Sequence, residues 1–87
     1  MWSEGVIGIP ASISGKPVAV HYWIKHYENP SKYGINEGRI SKLTLKIGDE
    51  VIANYDRGWD IHPKNEAAET ALYILLHEID GRKEDEE

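Results

Sequence analysis

Hydrophobic and polar residues alternate through most of the chain and then change period. From Pro17 to Tyr27 the alternation is cleanest. Val18, Val20, Tyr22 and Ile24 fall on one side of an extended chain, and Ala19, His21, Trp23, Lys25 and Tyr27 on the other. Arg39 to Ile47 repeats the pattern, with Leu43, Leu45 and Ile47 opposing Lys42, Thr44 and Lys46. Gly48-Asp49 suits a tight turn into a returning strand from Glu50 to Tyr55. Met1 to Ile9 alternates more weakly, broken by Gly5 and Gly8, and Pro10 ends it. Ala11 to Lys16 reads as a small-residue loop. Glu28 to Gly38 reads as a long loop in which Pro30, Gly34 and Gly38 forbid regular structure. Asp56 to His62 continues in extended form, with Gly58 supplying a bend or bulge.

Beyond this point the period is helical. Ala68, Ala71, Leu72, Leu75, Leu76 and Ile79 form one stripe at 100° per residue, with Glu66, Thr70, Tyr73 and His77 opposite. Pro63 fits a first helical position and Gly81 a stop, so the spacing predicts a helix from about Pro63 to Asp80. The expected fold is α+β: a four-stranded antiparallel sheet, with room for a short fifth strand, and one C-terminal helix packed on one face. Residues 1–81 form one domain in this reading, and 82–87 an acidic, disordered tail. The sheet face away from the helix carries His21, Trp23, Lys25, Tyr27, Lys42, Thr44 and Lys46.

Composition sharpens this picture. The chain has 87 residues and no cysteine, so packing alone must hold a single modest core. Its three Trp and five Tyr, with no Phe, give every aromatic a hydrogen-bonding handle. The net charge of −5 is unevenly spread. Glu78 to Glu87 holds six acids and two bases, for −4, whereas Lys16 to Lys46 holds six bases and two acids, for +4. No apolar run suggests a signal peptide or a membrane span, so a cytoplasmic location is expected.

Candidate chemistry is sparse. The serines sit in no G-x-S-x-G context, and no phosphate-binding glycine loop is present. His21 and His26 lie five apart, on opposite faces of a strand, so with Asp56, Asp60 and His62 they make no convincing metal set. A non-enzymatic protein without cofactor or metal is expected. Two surfaces remain. On the open sheet face, Trp23, Lys25, Tyr27, Lys42 and Lys46 could stack on and neutralise a single-stranded nucleic acid or a nucleotide. The competing reading is that Trp23 and Tyr27 pack on the first strand or into a homodimer, while the lysines are ordinary edge protection. The second surface is Tyr55-Asp56-Arg57-Gly58-Trp59-Asp60. There Trp59 could plug the core and Asp56 or Asp60 could hold Arg57, or Arg57 and its neighbours could form an interaction hot spot.

Gly38-Arg39-Ile40-Ser41-Lys42-Leu43 and the Tyr55–Asp60 stretch resemble small uncharacterised proteins of phages and prophages of Gram-positive bacteria. The likeness covers most of residues 17–80. It implies no catalytic residues. It implies a setting in which short non-enzymatic proteins bind and block a host factor, as anti-CRISPR proteins do. The leading expectation is therefore an inhibitor of a host protein or ribonucleoprotein in the host cytoplasm. Its contacts would come from Tyr33, Glu37, Arg39, Asp56, Arg57, Asp60, Glu84 and Asp85. The alternative is a nucleic-acid or nucleotide-binding module using the open sheet face.

Overall fold

A computed structural model describes residues 1–80; the acidic tail, with Glu84 and Asp85, lies outside the described residues. Five strands form one antiparallel meander in sequence order: β1 (Trp2–Ile9), β2 (Val18–His26), β3 (Ile40–Ile47), β4 (Glu50–Asp56) and β5 (Trp59–Ile61). The helix α2 (Glu66–Ile79) packs across one face, against β1, β2 and β3. The α+β sheet-and-helix architecture is the one the alternation predicts. The short extended run after Gly58 does pair, as β5, through Tyr55–Trp59 and Asn54–Ile61.

The core lies between sheet and helix. Val20, Ile24, Leu43 and Leu45 supply it from the strands, and Ala68, Ala71 and Leu75 from the helix. Small residues on the helix let it sit close to the branched side chains below. Each fully buried Ile, Leu or Val contributes about 1.5–3 kcal/mol relative to exposure. Three register shifts bend the sheet, at Leu45/Lys46 against β4, at Lys25/His26 against β3 and at Asn54/Tyr55 against β5. Opposite the first, Ile52 and Ala53 are both fully buried, so two successive β4 residues reach the core.

Local expectations are corrected at three places. Ala11–Ser14 is a single helical turn, α1, closed by Gly15 at φ 90°. The helix α2 begins at Glu66 rather than near Pro63. Lys64 N–H still bonds the Ile52 carbonyl at 3.0 Å, holding that segment to β4. Asn65 then caps the helix by accepting from Ala68 N–H at 2.8 Å, followed by acids in the first turn. The loop from Glu28 to Gly38 contains a short 3₁₀-type turn, Ile35–Glu37, and buries Ile35 in the core. The bend expected at Gly58 is present, spanning Arg57-Gly58 between β4 and β5, and its left-handed residue is Arg57, at φ 61°.

Candidate functional site

The open face is a set of cross-strand rows fixed by register. One row runs Trp2, Lys25, Lys42, Asp56; the next runs Glu4, Trp23, Thr44, Asn54; a third runs Val6, His21, Lys46. Lys25 and Lys42 stand directly opposite, a repulsive pairing. Both cations are drawn aside. Lys25 Nζ lies 5.8 Å from the Trp2 ring and 5.7 Å from the Tyr27 ring. Lys42 Nζ lies 3.8 Å from Asp56 Oδ1. His21 stacks on the Trp23 indole at 4.2 Å and meets Glu4 Oε2 through Nε2 at 3.0 Å. Thr44 donates to Asn54 Oδ1 at 2.8 Å, and Asn54 Nδ2 donates to Asp60 Oδ2 at 3.2 Å. Much of this face is therefore partnered internally, including one face of Trp23. Trp2, which the weak alternation of β1 left out of the expected face, is 60% exposed on it.

A second surface forms where the loop meets the β4–β5 turn. The Tyr55 hydroxyl donates to the Tyr33 carbonyl at 2.8 Å and pins the loop over the sheet. Tyr33 itself points outward, 51% exposed. Lys32 Nζ lies 5.5 Å and Arg57 Cζ 5.9 Å from its ring. Arg57 is not held by Asp56 or Asp60, which engage Lys42 and Asn54 instead. Its main chain is held, with Arg57 N–H bonding the Ser41 carbonyl at 3.2 Å and Asp56 N–H the Gly58 carbonyl at 2.8 Å. Among the described residues, the non-glycine positions with positive φ are Asn36, Glu37 and Arg57. All three belong to this loop or to the turn beside it. Left-handed backbone costs an L-residue roughly 1–2 kcal/mol. Such strain gathers at functional positions.

Arg39, two residues beyond Glu37, has a different setting. Its guanidinium donates to the Ile79 carbonyl at the end of α2 and to the Glu28 carbonyl at 3.3 Å. Its Nε lies 3.5 Å from Asp80 Oδ1, which also accepts from Arg39 N–H at 3.0 Å. Arg39 thus ties the loop to the helix C-terminus, where a cation complements the helix dipole. His26 lies beside this clamp, with Ser3 Oγ 3.0 Å from its Nε2. Burial, then the Met1 amino group and Arg39, hold its pKa below the ordinary value, against the opposing pull of Asp80.

A family model described as a domain of unknown function, DUF7678, matches residues 1–80. The chain belongs to this family. No curated protein and no solved structure matches the chain. For this DUF7678 domain, the sequence reading placed Trp23, Lys25, Tyr27, Lys42 and Lys46 on one side. Register and cation–π contacts bring them together. It singled out Tyr33 and Arg57 separately; the fold brings them into contact. It missed Lys32 and the strained Asn36. A loop composition of Asn, Glu and Gly hints at left-handed backbone without saying which residue adopts it.

Proposed function

We propose that this DUF7678 chain is a non-enzymatic binding protein that docks a partner protein through the corner built by Tyr33 and Arg57. The observation that carries the reading is Tyr33 itself. It is an exposed aromatic ring, anchored through its own carbonyl and flanked by two cations, one of which, Arg57, sits on strained backbone. Tyr and Arg are the residue types that dominate interface energetics, and a pre-ordered loop loses little entropy on docking. Glu37 shares the positive φ of this loop, and Asp56, next to Arg57 in the chain, pairs with Lys42. Arg39 serves the scaffold.

The partner to try first is a host factor, and among host factors a defence machine such as a CRISPR–Cas effector. The resemblance to phage and prophage proteins supports that choice. The reading places the protein in the host cytoplasm. Inhibition assays against a panel of defence effectors, with pull-down from host lysate, test it. Tyr33→Ala and Arg57→Ala are expected to stay folded and lose inhibition, while Trp59→Ala, which removes the ring packed on Tyr55, mainly unfolds the chain. Absence of any inhibited effector or captured partner would defeat the reading.

A second reading rests on Lys25 between Trp2 and Tyr27, with Lys42 beside it. These groups could engage a single-stranded nucleic acid by stacking and phosphate attraction. Titration of tryptophan fluorescence with oligonucleotides decides it: steep salt dependence and loss in Lys25→Ala support it, and an unchanged signal sinks it.

A further inference from the structure

The two edges of the sheet are unequal. β5 is three residues long, and Pro63 follows it closely. Short edges and prolines protect against further pairing. β1 is eight residues long and pairs with β2 in continuous register, without a bulge. Its main-chain groups can be assigned a direction. Met1 N donates to the His26 carbonyl at 3.1 Å, and His26 N–H donates to the Met1 carbonyl at 2.9 Å. In an antiparallel ladder such doubly bonded pairs recur at every second residue. Ser3, Gly5 and Ile7 therefore turn their N–H and C=O groups toward β2. Trp2, Glu4, Val6 and Gly8 turn theirs outward.

We infer that β1 pairs antiparallel with β1 of a second copy about a two-fold axis at Val6, joining two sheets into one of ten strands. Side-chain complementarity between the two copies favours this register. With Val6 opposite Val6, two side chains that are each 60% exposed meet as an apolar pair. Glu4 falls opposite Gly8, not opposite Glu4, so the only acids on the edge avoid each other. A Cβ at Gly8 would touch nothing, which leaves room for the Glu4 side chain. Trp2 falls opposite Pro10. There a shallow, mainly apolar groove of about 510 Å³ is lined by Gly8, Ile9, Pro10, Pro17, Val18 and Ala19. It lies where the second copy's Trp2 arrives, so the exposed indole of each copy has a receiving surface on the other. The pairing forms about six main-chain hydrogen bonds, from Glu4, Val6 and Gly8 of both copies, and stops at Pro10, which has no N–H. This inference is independent of the docking corner. β4 and β5 lie at the far side of the sheet from β1, so a dimer presents its two Tyr33–Arg57 corners at opposite ends.

The test uses the whole chain. Light scattering coupled to size-exclusion chromatography is expected to give a concentration-dependent mass approaching twice 9.9 kDa. Val6→Lys sets two like charges opposite one another and is expected to raise the dimer dissociation constant at least tenfold; Trp2→Ala weakens the dimer less. Val6 is an exposed edge side chain, so circular dichroism of Val6→Lys should match the parent. The chain contains no cysteine, which allows a register test. In a doubly bonded pair the Cα atoms are about 5.5 Å apart, within disulfide reach. Val6→Cys is expected to give a covalent dimer on mild oxidation, and Glu4→Cys far less. A monomer at all concentrations up to roughly millimolar, a dimer unaffected by Val6→Lys, or equal cross-linking at positions 4 and 6 each overturns the inference.

Discussion

Arg39 and Arg57 flank the same loop and look alike in the sequence, yet the fold treats them in opposite ways. The Arg39 side chain donates to two carbonyls, lies beside a carboxylate, and is less than a third exposed. Arg57 keeps its guanidinium at the surface over an aromatic ring, and its own backbone carries strain. One arginine stabilises the molecule by joining distant segments. The other is held in place by the molecule and left available. A charged residue beside a loop is therefore not by itself a contact residue. What decides is whether main-chain acceptors lie within reach of it.

The largest expected effect removes the support common to both. A Cβ on Gly34 would overlap the Gly38 carbonyl oxygen and lie 3.2 Å from the Ile40 carbonyl oxygen. Both are main-chain atoms that cannot swing away. Gly34→Ala is expected to cost about 2–3 kcal/mol, read as a lowered urea midpoint. Next comes Arg39→Ala, at about 2 kcal/mol, because charge-assisted bonds to the end of α2 are lost. Arg39→Lys should recover less than half, since one ammonium cannot reach the same acceptors. Equal stability of Arg39→Ala and the parent would show that the clamp is ornamental.

Arg57→Gly sharpens the contrast from the other side. Glycine adopts positive φ without the Cβ penalty, so stability should rise by roughly 1 kcal/mol while partner binding falls. Thermal melting and a binding assay on the same sample read both. A destabilised Arg57→Gly would move Arg57 into the scaffold with Arg39. The smallest effect is in pH. His26 beside the clamp has a depressed pKa in the fold, so the unfolded chain binds more protons. Its contribution to stability is complete above the unfolded value near 6.5 and is lost as pH falls through the lower folded value. His26→Gln should flatten stability over that acidic window. A slope of the opposite sign would refute the assignment.

The open face and the corner were legible to different degrees. Period-two alternation puts Trp23, Lys25, Lys42 and Lys46 on one side wherever the strands pair in phase, and β2 and β3 do so. It could not show that His21 covers Trp23 or that Asp56 goes to Lys42 rather than to Arg57. The corner was visible only as two separate stretches, because Tyr33 and Arg57 are brought together by the Tyr55 hydroxyl and by the return of β4.

Local pattern alone was enough to lay out the strands, the tight turn at Gly48-Asp49, the helical stripe and the layered architecture. These depend on side-chain period and turn chemistry, which act within a few residues. Long-range contacts set the bulge that brings both Ile52 and Ala53 into the core, the helix start after Asn65, the left-handed Arg57 and the contact between Arg39 and Asp80. Each of these depends on which main-chain groups already have partners elsewhere in the fold. Lys64 stays with β4, and so delays the helix, because Ile52 offers it a carbonyl. Such competition for hydrogen bonds is settled only once distant segments meet.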